Sequence, residues 1–207
     1  FDLARLTAQR PNLRIALSAP ATISFADGLA VSNLALAVGG GRVELDGRVT
    51  PRLDLTASAR ALPLSVVDAF KPGTGLAGVL DAQARLTGAP DAPQGPWRVA
   101  IQRFSAPPLK ANGVAPATLE ARGELSGDHT SLEARFAAGR DIDLKASGRA
   151  PLSADGALDL GVTGKVDLSL ANRQIAAAGR RLSGVALIDA RLTGRASAPA
   201  VAGGAQL

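Results

Sequence analysis

The stretch from Gly41 to Val49 reads GRVELDGRV. It sets Val43, Leu45 and Val49 at alternate positions against Arg42, Glu44, Asp46 and Arg48. A strand sends successive side chains to opposite faces, whereas a helix would bring them round every 3.6 residues. The segment therefore has one oily face and one charged face, and the fold must supply something to cover the oily one.

The same alternation recurs along most of the chain. Leu80, Ala82, Ala84 and Leu86 oppose Asp81, Gln83 and Arg85; Ile142, Leu144 and Ala146 oppose Asp141, Asp143 and Lys145; Val166, Leu168 and Leu170 oppose Lys165, Asp167 and Ser169. LDLTASA from Leu53, TLEARGEL from Thr118, SLEARF from Ser131 and LIDARL from Leu187 follow suit. Gly, Pro, Asn and Asp interrupt these runs at short intervals, as in GGG at 39–41, SGD at 126–128 and ADG at 154–156. Many short strands joined by tight turns predict an all-β antiparallel meander. Two segments depart from period two. In LPLSVVDAFKPG, Leu64, Val67 and Phe70 fall at helical spacing before Pro72 and Gly73, and SLANRQI from Ser169 is a second candidate helical turn.

Internal repetition adds a second constraint. GVLDAQARLTG at 78–88 is matched by GVALIDARLTG at 184–194, and both Leu86/Leu192 and Pro93/Pro199 are 106 positions apart. The expectation is one continuous segment, 1–207, made of two approximate units, 1–103 and 104–207. Repeats of this size build elongated arrays in which each unit buries its edge on the next.

Hydrophobic residues make up 46% of the chain but aromatics only 3%, with one Trp and no Tyr. Aromatic side chains supply much of a normal core, so this Ala, Leu and Val content suits a broad smooth surface better than a deep interior. A second sheet, covering helices or a guest are the three available covers, and the sequence has almost no helix. The expectation is an elongated U-shaped sheet, a β-taco, whose trough holds acyl chains. Its predicted lining is Val43, Leu45, Val49, Leu53, Leu55, Leu80, Leu86, Val99, Ile101, Leu119, Leu132, Phe136, Ile142, Leu144, Leu158, Leu160, Val166, Leu168, Ile188 and Leu192. A two-chain phospholipid buries roughly 30 methylenes at ~0.8 kcal/mol each, so leaving a bilayer for water costs on the order of 24 kcal/mol. A continuous oily rail removes most of that barrier while the headgroup stays in water.

The chemistry-bearing residue types are sparse. Cysteine is absent, which excludes disulfides and thiolate metal sites. His129 is the only histidine and sits in the turn-like GDHTS. Asp141 and Asp143 share a strand face, but no loop offers the six or more oxygens that Ca²⁺ takes. GGGR at 39–42 lacks the Lys-Ser/Thr of a phosphate loop. The reading is therefore not an enzyme, with no cofactor and no metal. The net charge of +5 comes from dispersed residues without aromatic stacking platforms, which argues against nucleic acid. No apolar run reaches the roughly 20 residues of a membrane span. Methionine is absent throughout, and the chain reads as a fragment of a longer protein.

SAPATISF at 18–25, GGGRVELDGRV at 39–49, LPLSVVDAF followed by GLAGVLDAQARLTGAPDAPQG at 62–95, and RLSGVALIDARLTGRASAP at 181–199 stand in an order that resembles the TamB family, the AsmA-like translocation and assembly module proteins of diderm bacteria. The resemblance implies a β-taco with a hydrophobic interior, a periplasmic location and an upstream inner-membrane anchor. It also implies roles in phospholipid transport to the outer membrane and in outer-membrane assembly, with a TamA-like partner bound through other regions. It carries over no catalytic residue. Two rival readings remain: a structural β-solenoid with a self-filled core, and a scaffold whose strand edges receive client strands by augmentation.

Overall fold

Strands that follow one another in sequence are nearly always neighbours in space. The computed structural model describes residues 2–10, 13–175 and 181–206. Its strands are β1 (Asp2–Leu3), β2 (Thr7–Arg10), β3 (Leu13–Leu17), β4 (Ala21–Ser24), β5 (Ala30–Val38), β6 (Gly41–Arg48), β7 (Leu53–Pro63), β8 (Ala77–Ala89), β9 (Ala92–Ser105), β10 (Ala117–Ser126), β11 (His129–Ala138), β12 (Ile142–Pro151), β13 (Ala157–Asp167), β14 (Val185–Arg195) and β15 (Ala198–Gln206). All belong to one sheet, whose main path is β1-β4-β5 and then every strand in order to β15. Near the N-terminus the sheet splits: β3 and β4 each pair with β5, over different parts of its length. Every ladder is antiparallel. The protein is an all-β, open, taco-like sheet. At ~4.8 Å per strand its thirteen-strand path is about 58 Å long.

The connections divide the two rims of the sheet. One rim carries short turns: 49–52, 90–91, 127–128, 152–156 and 196–197. The other carries every helical segment: a 3-10 helix at Leu64–Ala69, α1 at Pro107–Ala111, and a 3-10 helix at Leu168–Ala171 running into α2 at Asn172–Ile175. These segments sit close to their neighbours along that rim. A Cβ on Gly39 would meet Val66, one on Gly75 would meet Pro107, and one on Gly139 would touch Ala115.

The two helical turns read from the sequence are present. α1 was not foreseen, because Pro107-Pro108 reads as a breaker, yet proline is well suited to the first turn of a helix. The alternation through Leu168 and Leu170 also needs correction. Asp167 ends β13 and its carboxylate accepts from the Ser169 amide at 2.8 Å, so Leu168 and Leu170 enter the 3-10 turn. Residues 176–180 of the second sequence copy lie outside the described residues.

Both copies of the repeat form the same hairpin. Gly88 pairs with Pro93 in β8–β9, and Gly194 pairs with Pro199 in β14–β15. The division at 103/104 falls inside β9, so the structural unit is the hairpin with its preceding helical turn rather than that boundary.

Buried hydrophobic residues among those described are few and small: Leu13, Ala21, Val31, Ala35, Leu53, Ala117, Ala138 and Ala186. Five of the eight are alanines, so no closed core lies over the middle of the oily face. Leu13, Ala117, Ala138 and Ala186 instead sit at strand ends on the helical rim.

Candidate apolar groove

Strand register converts the alternation into ladders that run across the sheet. The central ladder of the oily face is Val43–Ala59–Ala82–Val99–Ala121–Ala134–Ala146–Val162–Ala190. Toward the helical rim lies Leu62–Leu80–Ile101–Leu119–Phe136–Leu144–Gly164–Ile188. Toward the other rim, Leu45 pairs with Ala57, Ala57 with Ala84, Ala84 with Trp97 and Trp97 with Gly123; on that side Leu132–Gly148–Leu160–Leu192 continues the row. The face thus has a floor of Ala and Val, a bulkier wall toward the helical rim, and a mixed row of Leu, Trp, Ala and Gly on the other side. A guest lying along the ladders would meet a continuous aliphatic surface.

Most of the predicted lining falls on this face. Val43 and Val99 stand in the floor. Leu80, Ile101, Leu119, Phe136, Leu144 and Ile188 form the wall toward the helical rim, with Ile142 and Val166 paired beyond it. Leu45, Leu132, Leu160 and Leu192 stand on the other side, with Leu55 paired to Leu86, Leu53 to Gly88 and Leu158 to Gly194 beyond them. Two residues do not join the ladders. Val49 follows the end of β6, where its amide donates to Leu29 O at 2.7 Å, and Leu168 sits in the 3-10 turn.

Sequence reasoning missed three features of the face. Trp97 reaches across β10: its Nε1 donates to Thr130 Oγ1 at 2.7 Å, and its ring would lie 3.0 Å from a Cβ on Gly123. Phe104 meets Phe136 edge-on at 6.5 Å between ring centroids. Three strands also contain a non-glycine residue at positive φ, Asn33, Ala61 and Arg103, each where the pairing register shifts. Such bulges bend a strand and raise its twist. Here they keep the oily alternation in phase, since Ala59 and Leu62 both pair within the apolar ladders. Two bulge amides are held by carboxylates of the next strand: Asn33 N donates to Asp46 Oδ2 at 2.8 Å and Ala61 N to Asp81 Oδ1 at 3.0 Å. The sequence showed Asp46 and Asp81 only as members of a solvated face.

The opposite face is a lattice of paired charges. Arg42 meets Glu44 at 2.7 Å, Arg122 meets Glu133 at 2.6 Å, Arg135 meets Asp143 at 2.8 Å and Arg191 meets Asp159 at 2.8 Å. Hydrogen bonding from Arg135 holds the Asp143 carboxyl below its ordinary value, and Arg191 does the same for Asp159, in each case against an opposing effect of burial. Two furrows of about 860 and 940 Å³ cross this face. Both flank the row Gln83–Arg98–Arg122–Glu133–Ser147; the first is bounded beyond it by Arg85, Glu124 and Ser131, the second by Asp81, Glu120, Arg135 and Lys145. Residues of the ladders border them as well, among them Ala84, Trp97 and Leu132 in the first and Ala82, Val99 and Ala134 in the second.

Metal chemistry has no assembled ligand set among the described residues. No group of three or more His, Asp or Glu could hold a metal ion. His129 opens β11, with Nδ1 2.9 Å from Asp128 Oδ1. No described helix is long and apolar enough to cross a membrane. No family model, no curated protein and no solved structure matches this chain.

Proposed function

We propose that this chain is a non-catalytic, lipid-conducting groove, a segment of a bridge-like periplasmic protein of the TamB, AsmA-like kind that carries phospholipid acyl chains toward the outer membrane. The observation that carries the reading is the oily face: two ladders from β6 to β14 and a third from β7 to β14, with no second layer over them among the described residues. A self-filled solenoid is the weaker rival, because solenoid coils stack on a shared interior and this chain is an antiparallel meander with few buried apolar residues. One observation favours the augmentation reading as a second function. Among the described residues β15 pairs only with β14, and all nine of its residues are exposed and uncharged.

The single Trp provides the test, since Trp97 stands on the oily face. Lipids brominated on their acyl chains should quench its fluorescence. Ala134→Arg, in the floor of the groove, should abolish the quenching while the β circular dichroism persists. Ser147→Arg, on the charged face, should leave it intact. A parent chain whose Trp97 emission is unaffected by brominated acyl chains defeats the groove.

A further inference from the structure

The two rims differ in charge as well as in shape. Each of the four successive helical-rim links β7–β8, β9–β10, β11–β12 and β13–β14 carries a cation: Lys71, Lys110, Arg140 and, following Arg173 and Arg180 in the sequence of the last link, Arg181. Lys71, Lys110, Arg140 and Arg181 are exposed, and none belongs to an ion pair among the described residues. Links on one rim recur every second strand, so adjacent cations stand roughly 10 Å apart along the groove. Of the two carboxylates in the described parts of these links, Asp68 is engaged by Thr74 Oγ1 and by the amides of Thr74 and Gly75, and Asp141 stands beside Arg140. The opposite rim reverses the sign: Asp27, Asp91, Asp128 and Asp155 stand in its links against the single cation Arg52.

We infer that the helical rim is a headgroup rail, on which Lys71, Lys110, Arg140 and Arg181 successively engage the phosphate of a phospholipid whose acyl chains lie on the oily face. The acidic rim repels the same phosphates, so the lipid is oriented across the groove and net-anionic lipids are favoured over zwitterionic ones. Ammonium and guanidinium groups both bind phosphate oxygens, and each basic residue close to anionic lipid favours it by roughly fivefold. The inference rests on the acyl groove proposed above.

The chain is incubated with vesicles of equal phosphatidylglycerol and phosphatidylcholine, re-isolated, and its bound lipids are counted by native mass spectrometry. The parent should carry phosphatidylglycerol enriched roughly fivefold. The variant Lys71→Gln/Lys110→Gln/Arg140→Gln/Arg181→Gln should bind as much lipid in total with the enrichment reduced to about one. Asp91→Asn/Asp128→Asn/Asp155→Asn should keep the phosphatidylglycerol preference. Lipid bound without preference by the parent, or a preference retained by the quadruple variant, overturns the rail and leaves the groove standing. No bound lipid at all removes the groove and the rail with it. Saturable binding of inorganic phosphate by the lipid-free chain at these four residues would make them a free-anion site and overturn the headgroup assignment.

Discussion

Gly148 shows how a single atom sets the shape of a strand. It lies on the oily face of β12 at φ 144°, a conformation that side chains rarely adopt, and a Cβ there would run into the backbone carbonyl of Asp159 on β13. Gly164 on β13 stands in the same relation to Asp143 on β12, at φ 150°. Alanine at Gly148 must either strain the backbone or spread the two strands, so Gly148→Ala is expected to cost on the order of 2 kcal/mol or more. Chemical denaturation measures this, and a change below about 0.5 kcal/mol, the size of an ordinary surface substitution, would mean that the strands separate freely. Glycine in this sequence reads first as turn punctuation, which holds for Gly39 and Gly127 but not for Gly148 or Gly164. The difference depends on a neighbouring strand that local sequence does not show. The aspartates carry a pH signature. Hydrogen bonding from Thr74, His129, Arg135, Arg191 and Ser169 lowers the carboxyls of Asp68, Asp128, Asp143, Asp159 and Asp167 respectively from an ordinary value of 3.8. A carboxyl lowered in the fold adds stability that is present above its unfolded value and lost as pH falls through the folded one. The melting temperature should therefore change little from neutrality down to about pH 4 and fall below it. A fall already complete by about pH 5 would place the acid-sensitive groups elsewhere.

Hairpins are the elements in which the sequence was most legible. The repeated LTG followed by Pro folds into one register in both copies, with Gly88 opposite Pro93 and Gly194 opposite Pro199, because turn chemistry sets the pairing locally. The strand alternation was legible for the same reason: it needs no distant partner to be seen. The bulges were not. Asn33, Ala61 and Arg103 adopt positive φ without a glycine to announce it, and Asp46 and Asp81, which hold two of these bulges, lie 13 and 20 positions away. Asp81→Ala should leave the Ala61 amide without its carboxylate and cost on the order of 1 kcal/mol. The matching observation is faster hydrogen exchange at Ala61 alone; unchanged exchange there would mean that water replaces the carboxylate without penalty. Among the candidate groove residues, those in strands were readable and those at strand ends were not. Val49 and Leu168 keep the period in sequence after the ladder has ended, one where the chain turns toward β7 and the other where Asp167 caps a helical turn.

At the scale of the molecule, each inner strand of the main path is held by its neighbours on either side, and among the described residues no common core ties distant strands together. Stability in such an array is close to a sum of nearest-neighbour terms, so it should vary along the sheet. β8 and β9 are 13 and 14 residues long, whereas β1 to β4 have two to five each and share the split end of the sheet. Native-state hydrogen exchange should find the slowest amides in β8 to β11 and progressively faster ones toward β1 and toward the exposed edge of β15. Denaturant unfolding should correspondingly be broad, with partly opened forms populated between the limits. A single exchange free energy shared by all strands would contradict this and require a core that spans the sheet. The same property gives the groove a thermodynamic signature. A phospholipid whose chains lie along the ladders touches several strands at once and adds coupling that the empty sheet lacks. Bound lipid should therefore slow exchange across β6 to β14 together and sharpen the denaturant transition, whereas a molecule adsorbed at one loop would protect only that loop. If saturating lipid slows exchange at no more than one or two strands, the oily face is not where the acyl chains lie.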